Sequence, residues 1–237
     1  MSTLSTPSFG PSAAILPPQF LQDRRQNFWE EQPGLAGTLS RIPQDQGIYG
    51  EGDRATLFYR VISGVVRTCK FLGDGRRQVD AFYMAGDVFG IETGEAYHLA
   101  AEAVSDCMLV AYRRRSLDTL SGGNETVARH LFQFALQHAA RAQDHALLLG
   151  HRSAIEKLAC FLLYWAYHSP QQTSVTLSAT LSVTLQMSRQ DIADFLGLTI
   201  ETVSRTLSKL EKDGIIKMSV ARRVELCNLG ALRALTT

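Results

Sequence analysis

The sequence predicts an α+β protein in three parts: a barrel or sandwich of short antiparallel strands, one long helix, and a small helical domain closed by two short strands. Three patterns carry that prediction. Between Leu39 and Tyr112, β-branched and aromatic runs alternate with Gly/Asp turns. From Ala128 to Leu149, apolar residues recur at steps of four and three. From Ser188 to Leu210, two capped helical patterns flank a single glycine. The expected parts are residues 1–38 as a flexible leader with a short helix, 39–121 as the strand-rich domain, 122–150 as the long helix and 151–237 as the last domain.

The 237 residues are 45% apolar and 20% charged, with a net charge of +1, the composition of a globular protein that does not span a membrane. No apolar run approaches the roughly 20 residues a membrane span needs. Met1 to Gln19 lacks the basic start and apolar core of a secretory signal, so a cytoplasmic location is expected. From His151 onward ten Lys/Arg face seven Asp/Glu, a local excess of +3. That asymmetry is mild and alone establishes no nucleic-acid binding. Cys69, Cys107, Cys160 and Cys227 are far apart in sequence. They form no metal-ligand spacing and are expected to be reduced, mostly buried thiols.

In the leader, Pro7, Pro11, Pro17 and Pro18 break any helix, and Phe20, Leu21, Phe28 and Trp29 fit a short helix over Phe20 to Glu31. Strands are expected over Thr56–Ile62, Val65–Phe71, Gln78–Tyr83 and Cys107–Tyr112. Gly73-Asp74-Gly75 is a plausible hairpin turn because Gly and Asp tolerate positive φ. Close, regular strand spacing of this kind indicates antiparallel pairing.

In the long helix, Ala128, Phe132, Ala135, Ala139, Ala142, Ala146 and Leu149 form a heptad seam of mostly small residues. Packing on the chain's own strands and pairing with a second helix both explain it. His138, Arg141, Asp144 and His145 flank the seam as polar residues. Gly150 reads as a hinge or C-cap. Ala154 to Tyr167 is the next helix, with Leu158, Phe161, Leu162 and Trp165 inward; Ser169 to Leu181 reads as a loop and a short strand around Val175 and Leu177.

Ser188 caps a short helix whose third residue is Asp191. Ile192, Ala193 and Leu196 form its inner face, and Ala193 is small where two helices cross. Gly197 makes the turn, Leu198 plugs the core and Thr199 caps the second helix. Val203, Leu207 and Leu210 are that helix's buried stripe. Small residue, glycine four on and apolar residue ten on is the helix-turn-helix pattern. Ile200, Glu201, Ser204 and Arg205 share the outer face of its first two turns. They offer an apolar tip, an acceptor, a hydroxyl and a forked donor, the groups that read base edges in a major groove. Two short apolar strands around a basic turn, over Glu211–Lys217 and Arg222–Cys227, resemble a wing.

Gly50-Glu-Gly-Asp53, Phe58 to Arg67 and Ala85-Gly-Asp-Val-Phe-Gly90 resemble the cyclic-nucleotide-binding β-roll, a jelly-roll-like barrel. With the helix-turn-helix, the resemblance is to the CRP/FNR superfamily of transcription regulators over roughly residues 40–230. Residues 188–210 and Glu92-Thr-Gly-Glu95 are most similar to its FixK-type branch, known from rhizobia. The resemblance implies a homodimer joined along the long helix, bound to double-stranded DNA at a palindromic promoter site and recruiting RNA polymerase. It implies readout of TTGAT-type half-sites, with Arg205 taking guanine, Glu201 accepting from cytosine N4, and Ser204 or Ile200 meeting thymine. Ile200 departs from the CRP branch, which carries Arg there. Phosphate contacts are expected from Ser188, Arg189, Thr199 and Thr202, from Ser208 and Lys209, and from Lys217, Arg222 and the adjoining Arg223 on the wing.

No cofactor is expected. Cyclic-nucleotide binders of this fold hold the phosphate with a Gly-Glu pair and a later arginine. Here His98 falls roughly where that arginine belongs, and Glu92 and Glu95 repel an anion. His98 with Glu92, Glu95 and Glu102 reads as a polar loop more readily than as a metal site. FNR-type iron–sulfur binding needs an N-terminal cysteine cluster, and no cysteine precedes Cys69. Axial ligands for the haem-binding variant are not identifiable. FixK-type relatives can carry an oxidation-sensitive cysteine where Ser188 lies, so no thiol switch is expected there. The resemblance thus implies a regulator, mainly an activator, of microaerobic, nitrogen-fixation or denitrification genes, and the missing clamp and cysteine cluster lead to the expectation that it needs no obligatory effector. The alternative is a sensor gated by an unidentified small molecule in the β-roll. An enzyme is disfavoured, since no Ser/His/Asp, Cys/His, metal or P-loop arrangement appears.

Overall fold

The computed structural model describes residues 35–168, 181–219 and 222–236. The expected leader, the short helix within it and most of the loop around Val175 and Leu177 lie outside the described residues. Two four-stranded sheets build the first domain. One runs in the order β1 (Gly37–Ile42), β8 (Cys107–Arg113), β3 (Leu57–Ser63), β6 (Val88–Phe89). The other runs β2 (Gly47–Tyr49), β7 (Ala100–Ala103), β4 (Val66–Phe71), β5 (Arg77–Tyr83). Every strand pairing in these two sheets is antiparallel among the described residues, as the short, turn-separated strands require. The inward residues Val61, Val66, Phe89, Ala101 and Leu109 form the inner core.

Two corners show why glycine is needed. Gly64, between β3 and β4, has φ +86°, and a Cβ there would run into the Asp106 carbonyl. Gly75 has φ +84° and closes the β4–β5 hairpin by donating to the Leu72 carbonyl at 2.9 Å. The Gly73-Asp74-Gly75 turn therefore sits where the sequence puts it.

Helix α1 (Arg114–Gly123) follows, a short element the strand-rich reading did not separate. Asn124 then caps α2 (Glu125–His151), accepting from the N–H groups of Thr126 and Val127. Gly150 is neither hinge nor C-cap: α2 runs through it to His151, and the cap is Arg152, whose backbone is extended. One glycine costs a helix only about 1 kcal/mol relative to Ala, less than tertiary packing returns. Ser153 N–H then donates to Glu156 Oε2 at 2.6 Å, which starts α3 (Ala154–His168).

The last domain contains α3, β9 (Leu181–Thr184), α4 (Arg189–Leu196), α5 (Ile200–Lys212), β10 (Ile216–Met218), β11 (Arg223–Leu226) and α6 (Leu229–Ala234). The wing has three strands in the order β10-β11-β9, where the sequence offers two, and the strand expected around Val175 and Leu177 lies outside the described residues. α3 is its central element: Leu158, Phe161, Leu162 and Trp165 are all 2% exposed or less. The Trp165 indole N–H donates to the Thr184 carbonyl at 3.0 Å, so the buried ring leaves no orphan donor.

One apolar cluster runs across both domains. Phe82 on β5 meets Trp165 edge-on at 5.9 Å and Phe195 on α4 at 5.4 Å between ring centroids. The helical domain thus packs on the β4–β5 side of the β-roll.

Candidate nucleic-acid interface

Local chemistry fixes the turn between α4 and α5. The Ser188 hydroxyl accepts from the Asp191 N–H at 3.0 Å, and the Asp191 carboxylate accepts from the Ser188 N–H at 3.0 Å. This reciprocal cap starts α4. Gly197 ends it with φ 61° and ψ 43°, a left-handed cap at low cost only for Gly or Asn. The Thr199 side chain accepts from the Thr202 N–H at 3.2 Å and opens α5. Removing such a cap costs about 1 kcal/mol. Val203, Leu207 and Leu210 are at most 1% exposed and seat α5 on Ala193 and Leu196, both fully buried.

That seating leaves one face of α5 outward. Ile200 is 38% exposed, and Glu201, Arg205, Ser208 and Lys209 are exposed. Ser204 is half-buried and its hydroxyl accepts from Arg189 Nη1 at 3.3 Å. Glu201 lies in the first turn of α5. Its own backbone N–H and the Thr199 side chain, then Arg205 a turn later, hold its carboxyl below the usual range. It is therefore an ionised acceptor at neutral pH. The wing is tied beside this face: Glu211 Oε1 accepts from the Met218 N–H at 2.8 Å. Arg222, at φ 63°, donates to the Gln186 carbonyl at 2.9 Å, and Arg223 Nε to Ser182 Oγ at 3.0 Å. Arg189, Arg205, Lys209, Lys217, Arg222 and Arg223 are all exposed.

Ser188 is the exception among the expected phosphate donors. Its hydroxyl proton goes to Asp191 Oδ2 at 2.8 Å. A phosphate oxygen only accepts, so the Ser188 side chain has no donor left for it. The Thr199 and Thr202 hydroxyls lie 3.1 Å apart and serve the cap of α5.

The seam residues divide. Phe132, Ala135, Ala139, Ala142 and Ala146 are exposed, and Ala128 is half-buried. Leu149 instead turns to the helix-turn-helix, 3.2 Å from where a Cβ on Gly197 would stand. Leu136 and Leu147, outside the heptad reading, are 54% and 59% exposed beside Phe132 at 64%. The inner face of α2 holds three of the residues read as polar flank. His138 lies against Phe134 in a tilted ring contact, 4.2 Å between centroids, and Arg141 is half-buried. His145 stacks on Phe195 at 4.2 Å and its Nε2 lies 2.8 Å from the Phe195 carbonyl. Burial, with Arg141 nearby, pushes the His138 pKa down to about 4.

Between the β-roll and α2 is a cavity of about 460 Å³ lined by Tyr49, Tyr83, Phe89, Glu92, Leu131 and Phe134 among others. No arginine lines it. His98 is 71% exposed and its Nδ1 is 2.6 Å from Glu92 Oε2, so both are satisfied by each other. Arg114 spends its donors on the Thr93 and Gly94 carbonyls. A cyclic nucleotide's phosphate would meet a carboxylate and no guanidinium, so these residues do not fit that ligand. Among the described residues no His/Cys/Asp/Glu group could hold a metal ion. Cys69, Cys107 and Cys160 are buried and Cys227 is exposed.

The reading from sequence missed one constellation. Arg67 and Arg77 on the β4–β5 hairpin reach Glu102, Asp191 and Asp194. Asp191 shows in the sequence only as a helix cap, and its partners lie more than a hundred residues away.

Residues 39–122 match the cyclic nucleotide-binding domain family, and residues 156–235 the Crp-like helix-turn-helix domain family. The nitrogen fixation regulation protein FixK of Azorhizobium caulinodans is 48% identical over 84% of this chain and 79% of its own. The transcriptional activatory protein AadR of Rhodopseudomonas palustris is 39% identical over 79% of this chain and 76% of its own. The solved structure of FixK2 from Bradyrhizobium japonicum superposes with a TM-score of 0.79 at 41% identity. It covers 86% of this chain and 98% of that one.

Proposed function

Since the chain belongs to the CRP/FNR family of transcription regulators, which are not enzymes, we propose that it is a FixK-type regulator that reads palindromic DNA as a homodimer without an obligatory effector. The observation that carries this reading is the outward face of α5, where Glu201 and Arg205 stand exposed on a helix seated by a complete helix-turn-helix. Its half-site is of the TTGAT type. Arg205 takes guanine O6/N7, Glu201 accepts from cytosine N4, and Ser204 and Ile200 border thymine. Arg189, Ser208, Lys209, Lys217 and Arg222 hold phosphates, with Thr199 and Thr202 at the start of α5.

The homodimer forms along α2. A stripe that leaves Phe132, Leu136 and Leu147 more than half exposed is costly in water, and flanking alanines let a second helix approach closely. Two-fold pairing puts the two copies of α5 about one helical turn of DNA apart. The nitrogen-fixation regulators it resembles supply the gene class: activation of nitrogen-fixation or related microaerobic genes through RNA polymerase in the cytoplasm. No described helix is long and apolar enough to cross a membrane.

A second reading rests on the β-roll cavity. Its mostly apolar lining suits an apolar small molecule, which would make the protein a ligand-gated sensor. Selection from a randomised palindrome library with ligand-free protein separates the two. Enrichment of TTGAT-type half-sites is the expected result. Enrichment only after a small molecule is added favours the sensor.

A further inference from the structure

Five charged side chains join the β-roll to the helix-turn-helix. Arg67 on β4 donates from Nε to Glu102 Oε2 on β7 at 2.9 Å and from Nη1 to Asp191 Oδ1 at 2.9 Å. Arg77 on β5 donates from Nε to Asp194 Oδ2 at 2.8 Å and from Nη2 to Asp191 Oδ1 at 2.5 Å. The side chains are 11% (Arg67), 17% (Arg77), 24% (Glu102), 5% (Asp191) and 11% (Asp194) exposed. Surface ion pairs are worth little, but breaking a buried one strands a charge away from water.

Asp191 has a double task. Oδ2 closes the α4 capping box with Ser188, while Oδ1 receives both arginines. Burial raises its pKa, but Ser188 and the two guanidiniums outweigh burial and hold it below the usual carboxylate range. The carboxylate therefore stays charged and paired at neutral pH. Gln78 adds a hydrogen bond to the Phe195 carbonyl at 3.4 Å. α4 carries α5 through the Ala193 and Leu196 contacts, and the β4–β5 hairpin belongs to the body that α2 would dimerise. The direction of α5 relative to a two-fold axis on α2 is therefore tied to these five side chains.

We propose that Arg67 and Arg77 are positioning residues for DNA readout, pinning α4 through Asp191 and Asp194 so that the two recognition helices hold their spacing in the free dimer. The proposal rests on the dimeric, effector-independent reading above and supplies its physical basis. An effector in such a fold acts by favouring one arrangement of two domains. Here contacts built into the chain favour it, so the reading-competent arrangement is already populated.

The test measures affinity for two duplexes, the selected palindrome and the same palindrome with one extra base pair between half-sites. The wild-type dimer is compared with Arg77→Gln and with Asp194→Asn. Asp194→Asn keeps size and leaves the Ser188–Asp191 cap intact. The wild type should bind the correct spacing much more tightly. Both variants should lose roughly tenfold of that preference, the scale of a typical coupling between sites, with the melting transition still cooperative. An equal loss on both duplexes, with the preference unchanged, is what fewer folded molecules would give, and it overturns the proposal. Unchanged affinity and preference in Asp194→Asn overturns it too, even if Arg77→Gln fails to fold. Failure of the wild type to bind either duplex instead refutes the underlying reading.

Discussion

The outer face of α5 and the cavity between the β-roll and α2 differ in how their polar groups are spent. On α5, Arg205 and Lys209 stand exposed, and Glu201 is ionised and turned to solvent. In the β-roll, Glu92 is consumed by His98, Arg114 by two backbone carbonyls, and the cavity beside Glu92 is lined mostly by apolar aliphatic and aromatic side chains. Groups that remain available can recognise a partner, while groups that satisfy each other hold a loop in place. On the proposed reading, the α5 face serves DNA readout while Glu92, His98 and Arg114 hold a loop of the β-roll.

Dimerisation offers the largest way to break this contrast, because only a dimer uses two copies of α5. Phe132→Asp combined with Leu136→Asp should give a monomer by sedimentation. Palindrome affinity should fall on the order of 100-fold or more, the scale of avidity from two linked sites. A variant that stays dimeric would move the interface off this stripe. Next is Arg205→Ala, expected to cost about 1–3 kcal/mol and to relax specificity at one guanine. Equal loss on every sequence would make Arg205 a phosphate contact.

The acid dependence of stability probes the cavity side. His138 has its folded pKa near 4, below the unfolded 6.5, because burial disfavours the charged ring. The unfolded state therefore binds the proton first. Its contribution is complete above about pH 6.5 and is lost as pH falls toward 4. Melting temperatures measured from pH 7 to 4.5 should drop, and His138→Phe should drop less steeply; parallel slopes would show that His138 is solvated. The smallest effect belongs to the wing: Lys217→Ala should weaken binding to all sequences alike and lower the salt slope by about 1. An unchanged slope removes Lys217 from the phosphate set.

Much of this was legible in the residues. Ala193, Gly197 and Val203 marked the helix-turn-helix because each answers a local demand: a close crossing, a left-handed turn, a buried stripe. β3, β4, β5 and β8 were legible for the same reason, since alternation and turn glycines act over a few residues; β1, β2, β6 and β7 were not, β2 and β6 being only three and two residues long. Less legible was α2, which carries two apolar faces. Val127, Leu131, Phe134 and Leu148 turn toward the chain's own core. Phe132, Leu136 and Leu147 turn outward. A heptad count takes one residue per step and so included Leu149 while passing over Leu136 and Leu147. The ion cluster was not legible at all. Its five members serve elements distant in sequence, and a capping aspartate looks the same whether or not arginines approach its other oxygen.

The central claim is that the protein is competent to read DNA without a ligand. The direct measurement is the affinity of effector-free dimer for a TTGAT-type palindrome and for a scrambled duplex, each repeated with saturating cyclic AMP. The expected Kd for the palindrome lies in the roughly 10⁻⁸–10⁻¹¹ M range at physiological salt, at least about 10³ tighter than for the scrambled duplex and unmoved by the nucleotide. Binding to both duplexes at the same weak level, with specificity appearing only when the nucleotide is added, would contradict it.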